Sequence, residues 1–153
     1  MKKLVIIFTV ILLSVGNLYA QHKIIKGRVI TEDLEPVPQA PIMMNDSVEI
    51  GKTDANGFFQ VEIPLYVNKL TFTFVGIEQA NILLAENCEE AEVIMMMRGT
   101  YDFMTLRKVD RLRLKRFNKL PELHRDAFAK GIFKTDKPCY TQEFVPNYKK
   151  KQK

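Results

Sequence analysis

The sequence predicts a mainly β protein, a seven-stranded β-sandwich with a basic α-helical extension at its C-terminal end. Short segments in which apolar and polar residues alternate recur between residues 24 and 97, which is the pattern of half-buried strands. Turn-forming residues separate these segments at hairpin spacing, and this favours a sandwich. From Thr100 the apolar spacing becomes helical. We therefore expect a signal peptide at residues 1–20, a sandwich at 21–98, and a basic helical extension with an irregular tail at 99–153.

The first twenty residues have the features of a secretory signal peptide. Lys2 and Lys3 form a basic start, an apolar run covers Leu4–Leu13, and the small residue Ala20 suits cleavage before Gln21. The apolar run is shorter than the roughly 20 residues that a membrane-spanning helix needs. We therefore expect export to the periplasm, with outer-membrane association or secretion as alternatives, and no transmembrane span after cleavage.

The first two predicted strands lie on either side of a proline-containing loop. Residues 24–30 alternate so that one face is apolar, and Pro36 and Pro38 cannot continue the strand because proline lacks an amide donor. The segment Ala40–Met44 is the second predicted strand.

The next two strands flank a well-defined turn. Ile50–Thr53 and Phe58–Ile63 enclose a segment in which Gly57 supplies a positive φ at low cost and Asp54 can accept hydrogen bonds from the following amides. We expect a β-hairpin here. A calcium loop starting at Asp54 is not expected, because Leu65 occupies the position where such a loop needs an acidic ligand.

Three further segments complete the predicted sandwich. Leu70–Val75 alternates β-branched and aromatic residues, a strong strand signal. Ile82–Ala85 and Ala91–Met97 follow it. Seven short strands at this spacing favour two packed sheets.

Several of these segments together resemble a known family. Lys26–Val29 followed by Glu35–Ala40, then the turn Thr53–Phe58, then Leu70–Glu78 are similar, in the same order, to the motifs of the carboxypeptidase-regulatory-like domain. That domain is a transthyretin-like, immunoglobulin-like β-sandwich, found before the plug of TonB-dependent receptors and in other bacterial envelope proteins. The resemblance covers about residues 24–97. It implies the fold and an envelope location, and it brings neither catalytic residues nor the barrel of a receptor.

The extension has the opposite charge to the sandwich. Residues 21–99 contain twelve acidic and six basic side chains, a net charge of −6, whereas residues 100–153 contain six acidic and fifteen basic ones, a net charge of +9. One helix is expected after Asp102, which can cap it, and a second from Pro121 to just before Gly131. The apolar stripe of the first helix is Phe103, Leu106, Val109, Leu112 and Phe117, and that of the second is Leu120, Leu123, Ala127 and Phe128.

Six cations lie between the apolar positions of the first helix, and they form the candidate partner-binding set: Arg107, Lys108, Arg111, Arg113, Lys115 and Arg116. Two interpretations stay open. Either the helices pack their stripes on the sandwich and the charges are merely solvated, or the cations contact an anionic partner. In an envelope that partner would be lipid headgroups, lipopolysaccharide phosphates or an acidic protein. Nucleic acid is not expected as a partner of an exported chain.

The remaining chemistry-bearing residues do not form a recognisable site. Cys88 and Cys139 form either one disulfide or two unpaired thiols, since geometry decides. With His22 they are not spaced as zinc ligands, and no cofactor is expected. His124 is expected on the surface of its helix without a carboxylate partner. An acidic cluster is expected to be solvated, with binding of a cation or of the basic tail as the other hypothesis: Glu86, Glu89, Glu90 and Glu92.

The expected function is a non-enzymatic, exported module that binds a protein or a surface component, with an open strand edge as a second binding element. Two alternatives remain. A carbohydrate- or peptidoglycan-binding domain would need exposed aromatic platforms, for which Tyr66, Tyr101 and Tyr140 are the candidates. A small hydrolase would need a site that the sequence does not reveal.

Overall fold

The structure, a computed structural model, describes residues 22–148 and is mainly β. The expected signal peptide and residues 149–153 of the tail lie outside the described residues. Within 22–148 there are two sheets and two helices. Each of the seven expected strand segments overlaps a strand, but the count of seven is wrong because an eighth strand follows the helices.

The two sheets have three and five strands. In the first, β1 (His22–Thr31) pairs antiparallel with β4 (Phe58–Pro64) and parallel with β7 (Glu90–Met95), so β1 is central. The second is antiparallel and contains, in spatial order, β3 (Val48–Lys52), β2 (Pro41–Met44), β5 (Lys69–Phe72), β6 (Ala80–Leu84) and β8 (Tyr140–Glu143).

An apolar core joins the two sheets. Ile25 and Val29 of β1 are fully buried in one cluster with Phe72 and Ile82 of the five-stranded sheet. Phe59 of β4 packs its ring on that of Phe72, with 5.3 Å between the centroids. Each such side chain contributes about 1.5–3 kcal/mol by leaving water. The core therefore makes the two sheets a rigid support for the segments that follow.

The turn before β4 has the expected local geometry but joins two sheets. Gly57 has a φ of 78°, and Asp54 Oδ1 accepts hydrogen bonds from the backbone N–H groups of Asn56 and Phe58, both at 2.8 Å. The predicted hairpin is nevertheless wrong, because β3 and β4 belong to different sheets. The turn packs instead against β1, where the Val29 N–H donates to the Gly57 carbonyl oxygen at 2.7 Å.

β8 contradicts the expectation of an irregular tail. Its backbone pairs antiparallel with β6. Its side chains reach the other sheet, since the Tyr140 hydroxyl donates to the Glu92 carbonyl oxygen at 2.6 Å and Gln142 Nε2 donates to that of Ile94 at 3.1 Å. The backbone of β8 therefore extends the five-stranded sheet, and its side chains bind carbonyl oxygens of β7 in the three-stranded sheet. The edge of β6 is therefore occupied by the chain itself, and the edge strands of the two sheets are β3, β4, β7 and β8.

The two helices lie against the sandwich. α1 (Leu106–Phe117) is followed at once by α2 (Leu120–Ala129). Pro121 lies in the first turn of α2, and Gly131, with a φ of 71°, lies just after its C-cap, as predicted. The expectation that the second helix packs on the sandwich is confirmed by a second apolar cluster, which consists of Ile30, Ile94, Met96, Leu120, Ala127 and Phe133.

The predicted apolar stripe of α1 is wrong at Phe103 and Leu106, which are exposed, whereas Val109 is buried and Leu112 and Phe117 are half-buried. The helix begins after the N-cap Thr105 rather than after Asp102. The Thr105 hydroxyl oxygen accepts a hydrogen bond from the Lys108 backbone N–H in the first turn. Phe103 precedes the helix and is fully exposed. Val109 is buried, and the next residue on that face, one turn later, is Arg113.

Candidate functional site

The inner face of α1 carries a buried ion pair. Arg113 is 9% exposed and donates to both carboxylate oxygens of Glu78 over 2.8–3.0 Å. Its Nη1 also donates to Asp110 at 2.9 Å and to the Val145 carbonyl oxygen at 3.1 Å. Hydrogen bonding to Glu78 raises the pKa of Arg113 despite its burial. Arg113, one of the six candidate partner-binding cations, is therefore buried and bound to carboxylates of its own chain.

Asp110 fastens the segment after β8 to α1. Its carboxylate accepts hydrogen bonds from the backbone N–H groups of Asn147 at 3.0 Å and Tyr148 at 2.8 Å, besides the one from Arg113. Burial opposes the ionisation of Asp110, but these hydrogen bonds together lower its pKa. The one acidic side chain of α1 is thus turned to internal contacts.

Arg116 is the second cation that the sandwich neutralises. It forms an ion pair with Glu32 and donates to the Tyr101 hydroxyl at 3.1 Å and to the Met97 carbonyl oxygen at 2.7 Å. Its side chain is only 29% exposed. Arg116, also one of the six candidate partner-binding cations, therefore holds the segment between β7 and α1 in place.

The other four predicted cations lie on the solvent side of α1, and we call them the basic face of α1: Arg107, Lys108, Arg111 and Lys115. Within residues 22–148 none of them has a carboxylate oxygen within 4.0 Å. Arg107 lies over the ring of Tyr148, 4.7 Å from its centroid, and donates to its hydroxyl at 2.7 Å. The helix therefore separates its cations into an inward, neutralised pair and an outward, uncompensated group.

Exposed apolar side chains adjoin the basic face at the start of α1. Phe103, Met104 and Leu106 all face solvent, Phe103 completely. Phe103 also has a φ of 60°, a backbone region that disfavours residues with a Cβ by about 1–2 kcal/mol. We call these three residues the apolar start of α1.

A disulfide and two carboxylates hold the C-terminal region to β7. Cys88 and Cys139 are bonded, with their Cα atoms 5.3 Å apart. Glu90 forms an ion pair with Lys134, and the buried carboxylate of Glu92 accepts from the Lys134 backbone N–H at 2.6 Å. Of the two hypotheses for the acidic cluster, binding of the tail is therefore the one that Glu90 and Glu92 support.

A cleft of about 420 Å³ opens between the helices and β8. Ile94 of β7, Phe117 and Leu120 of the helices, and Tyr140 of β8 line it together with His124. Apart from His124, no acidic or basic side chain of the described chain lines it. The lining is therefore largely apolar and carries no net charge if His124 is neutral.

His124 is buried, which contradicts its predicted place on the surface. It is 2% exposed, its ring centroid lies 4.8 Å from that of Phe133, and Nε2 lies 3.1 Å from the Thr135 carbonyl oxygen. Because a carbonyl only accepts, Nε2 carries the hydrogen. Burial lowers the pKa of His124, so the ring is neutral at pH 7. Its spacing from Leu120 and Ala127 on one face of α2 is the signal that predicts burial.

The three tyrosines considered for carbohydrate binding do not form a common platform. Tyr140 points inward to β7, and Tyr101 accepts the hydrogen bond from Arg116. Tyr66 alone is widely exposed, at 84%. The carbohydrate-binding alternative therefore gains no support from their positions.

Residues 22–148 contain neither a metal-binding cluster nor a membrane-spanning helix. No group of three or more His, Cys, Asp or Glu side chains is arranged to hold a metal ion. In the same range, neither the length nor the hydropathy of any helix suffices to cross a bilayer.

No family model matches the chain, and no curated protein matches it in sequence. The similarity to carboxypeptidase-regulatory-like domains thus depends on the residue motifs alone.

Proposed function

We propose that the chain is an exported, non-enzymatic envelope module that binds an anionic lipid surface through the basic face of α1. The sandwich would be its rigid support, of the transthyretin-like kind that the carboxypeptidase-regulatory-like motifs imply. One observation carries the proposal. Of the six cations on α1, Arg113 and Arg116 bind carboxylates of the sandwich, whereas the other four face solvent and have no carboxylate partner within residues 22–148.

The four outward cations are sufficient for measurable surface binding. A Lys or Arg close to an anionic membrane contributes about 1 kcal/mol at moderate salt. Four of them would contribute about 4 kcal/mol, or roughly a thousandfold in affinity. Because the attraction is between exposed charges, it would weaken as salt shortens the screening length.

The apolar start of α1 favours a lipid surface over an acidic protein. Phe103, Met104 and Leu106 are exposed and adjoin the basic face in sequence, and a bilayer would hold such exposed apolar side chains at the boundary between headgroups and acyl chains. A fluid layer accepts a projecting side chain such as Phe103 without a preformed pocket. A protein partner would need a matching cavity in addition to its carboxylates.

Sedimentation with vesicles tests the proposal. The chain is expected to bind vesicles of phosphatidylglycerol and phosphatidylcholine more tightly than vesicles of phosphatidylcholine alone, and to be released by high salt. Replacing Lys108, Arg111 and Lys115 with Ala is expected to weaken binding about a hundredfold. Phe103→Ser should weaken binding further without changing its salt dependence.

A matched variant controls for net charge. Lys26, Lys130 and Lys137 are exposed and lie elsewhere on the molecule, so their replacement with Ala removes the same charge and should leave most of the binding. If both triple variants lost vesicle binding equally, net charge rather than the basic face of α1 would account for the binding. Retention of an acidic protein by the chain, without vesicle binding, would move the proposal from lipid to protein.

A further inference from the structure

The cleft beside α2 is one of several surface clefts of similar volume in the described chain, and its lining is the most apolar of them. Protein interiors are normally close-packed, and an engineered apolar cavity of about 150 Å³ already binds benzene. The cleft measures about 420 Å³, within the range of small-molecule sites. Its size therefore suits a ligand larger than a single ring.

The walls of the cleft are held in place without a ligand. Tyr140 and its neighbours in β8 are fixed by pairing with β6 and by the adjacent disulfide at Cys139. On the opposite wall, Leu120 is buried against Ile94 in the second apolar cluster. A preformed site binds more tightly because little freedom is lost on association.

His124 presents an unpaired hydrogen-bond acceptor at this wall. Nε2 donates to Thr135, which leaves the lone pair of Nδ1, for which no partner is found among residues 22–148. In the same range, every fully buried side-chain nitrogen or oxygen has a partner. Nδ1 is therefore not fully enclosed, and its lone pair is taken to face the cleft because His124 is one of the lining residues.

The other polar groups at the cleft are less able to define a ligand. The Tyr140 hydroxyl and Gln142 Nε2 already donate to carbonyl oxygens of β7. Asn118 and Thr141 lie exposed at the rim. The absence of acidic and basic partners among the described lining residues disfavours an ionised ligand, because an unpaired charge is costly to bury.

We propose that this cleft binds a neutral, mainly apolar small molecule that carries one hydroxyl or N–H group, and that this group donates a hydrogen bond to His124 Nδ1. The site is separate from the basic face of α1 and does not depend on the proposed surface binding. Phenol-like and indole-like compounds have the required chemistry.

Two probes with the same ring system, one with a donor and one in which a methyl group replaces the donor hydrogen, test the proposal on the full chain. 2-Naphthol carries a hydroxyl, and 2-methoxynaphthalene has the same rings without a donor. We expect 2-naphthol to bind about tenfold more tightly in calorimetry, with amide shifts around the cleft in nitrogen–proton spectra. The ¹⁵N signal of His124 Nδ1 should move with 2-naphthol and stay unchanged with the ether.

Variants locate the site and the acceptor. His124→Phe keeps an aromatic ring without a lone pair, so it should bind both probes equally and about as tightly as the wild type binds the ether. Thr141→Trp fills the rim and should reduce binding at least tenfold, whereas Glu143→Trp, on the same strand but outside the cleft, should not. If His124→Phe fails to fold, the ¹⁵N measurement on the wild type decides the role of the acceptor.

Several outcomes would overturn the proposal. These are no binding of either probe at about 1 mM, equal binding of the two probes to the wild type, or shifts that map away from the cleft. Nuclear Overhauser contacts between the cleft and residues 1–21 or 149–153 would also overturn it, since the chain itself would then be the occupant.

Discussion

Removal of the disulfide is expected to lower the free energy of unfolding by about 4 kcal/mol. Cys88 and Cys139 are 51 residues apart, so in the unfolded chain their bond closes a loop that contains both helices. For a loop of this length the lost chain entropy is about 14 cal/mol/K, or about 4 kcal/mol at 25 °C. Domains of this size are commonly stable by about 5–15 kcal/mol, so the loss is a large share of the total.

The assay is urea denaturation followed by circular dichroism, on the wild type and on Cys88→Ala/Cys139→Ala. Alanine is chosen because Cys88 is fully buried and a polar replacement would add a second cost. The variant should unfold at lower urea, and its dependence on urea should be steeper because its unfolded state is more extended. A reductant should bring the wild type to the variant's stability and leave the variant unchanged.

A loss of less than about 1 kcal/mol in the variant would contradict the entropic role of the disulfide, since about 4 kcal/mol is expected for a loop of this length. Alkylation of two free thiols in the folded, unreduced chain would refute it more directly.

Three further predictions follow from other contacts. Gly57→Ala should lower the free energy of unfolding by at least about 1 kcal/mol more than Gly76→Ala does. Both positions have a positive φ, but only at Gly57 would the added Cβ lie 2.3 Å from a carbonyl oxygen of β1. Arg113→Met should lower the free energy of unfolding by about 3–5 kcal/mol, because it leaves Glu78 buried and unpaired. Adding Glu78→Gln should restore part of this loss, and urea denaturation measures both changes. Because burial lowers the pKa of His124 below its ordinary value of 6.5, the unfolded state binds more protons, and thermal stability should fall as pH drops below about 6.5.

Each of these has a control. Equal losses in the two glycine variants would mean that backbone strain, and not the contact with β1, dominates. Lys52→Met removes an exposed ion pair with Glu49 and should have no measurable effect, so a loss comparable to that of Arg113→Met would contradict the role of burial. His124→Phe should flatten the stability profile between pH 5 and 6.5, and an unchanged slope there would assign it to other groups.

The sequence predicts where strands lie better than which strands pair. Period-two alternation and turn residues are local signals, and they correctly locate segments such as Phe58–Ile63. The Asp54–Gly57 turn is also local and has the expected hydrogen bonds. Its assignment to a hairpin fails because the sheet that a strand joins depends on distant partners, here β1 for β4 and β2 for β3.

β8 was not predictable from its own residues. Tyr140–Glu143 is short, polar and close to prolines, so its strand signal is weak. Its pairing depends on β6, on the carbonyl oxygens of β7 and on the disulfide. All three are contacts with residues at least 40 positions away in sequence, which local propensity does not encode.

In the candidate sites, too, the residue types are evident from the local sequence, whereas their burial and pairing depend on residues far away in the chain. The cationic content of α1 is evident from the sequence, but which cations remain free is decided by Glu78 and Glu32, far away in the chain. His124 and Arg113 both occupy helical positions with the spacing of a buried face. An interpretation based on residue polarity assigns them to the surface, because burial of such groups becomes favourable only when a specific partner is present.

The position of β8 in the chain has a consequence for the order in which the protein is made. Synthesis completes β6 at Leu84 and does not reach β8 until Tyr140, after both helices. Until β8 has arrived, the edge of β6 is bare and can pair with a strand of a neighbouring chain. Solubility during folding therefore depends on a four-residue segment that arrives late, and a chain interrupted between the helices and Tyr140 should aggregate although β1–β7 are complete.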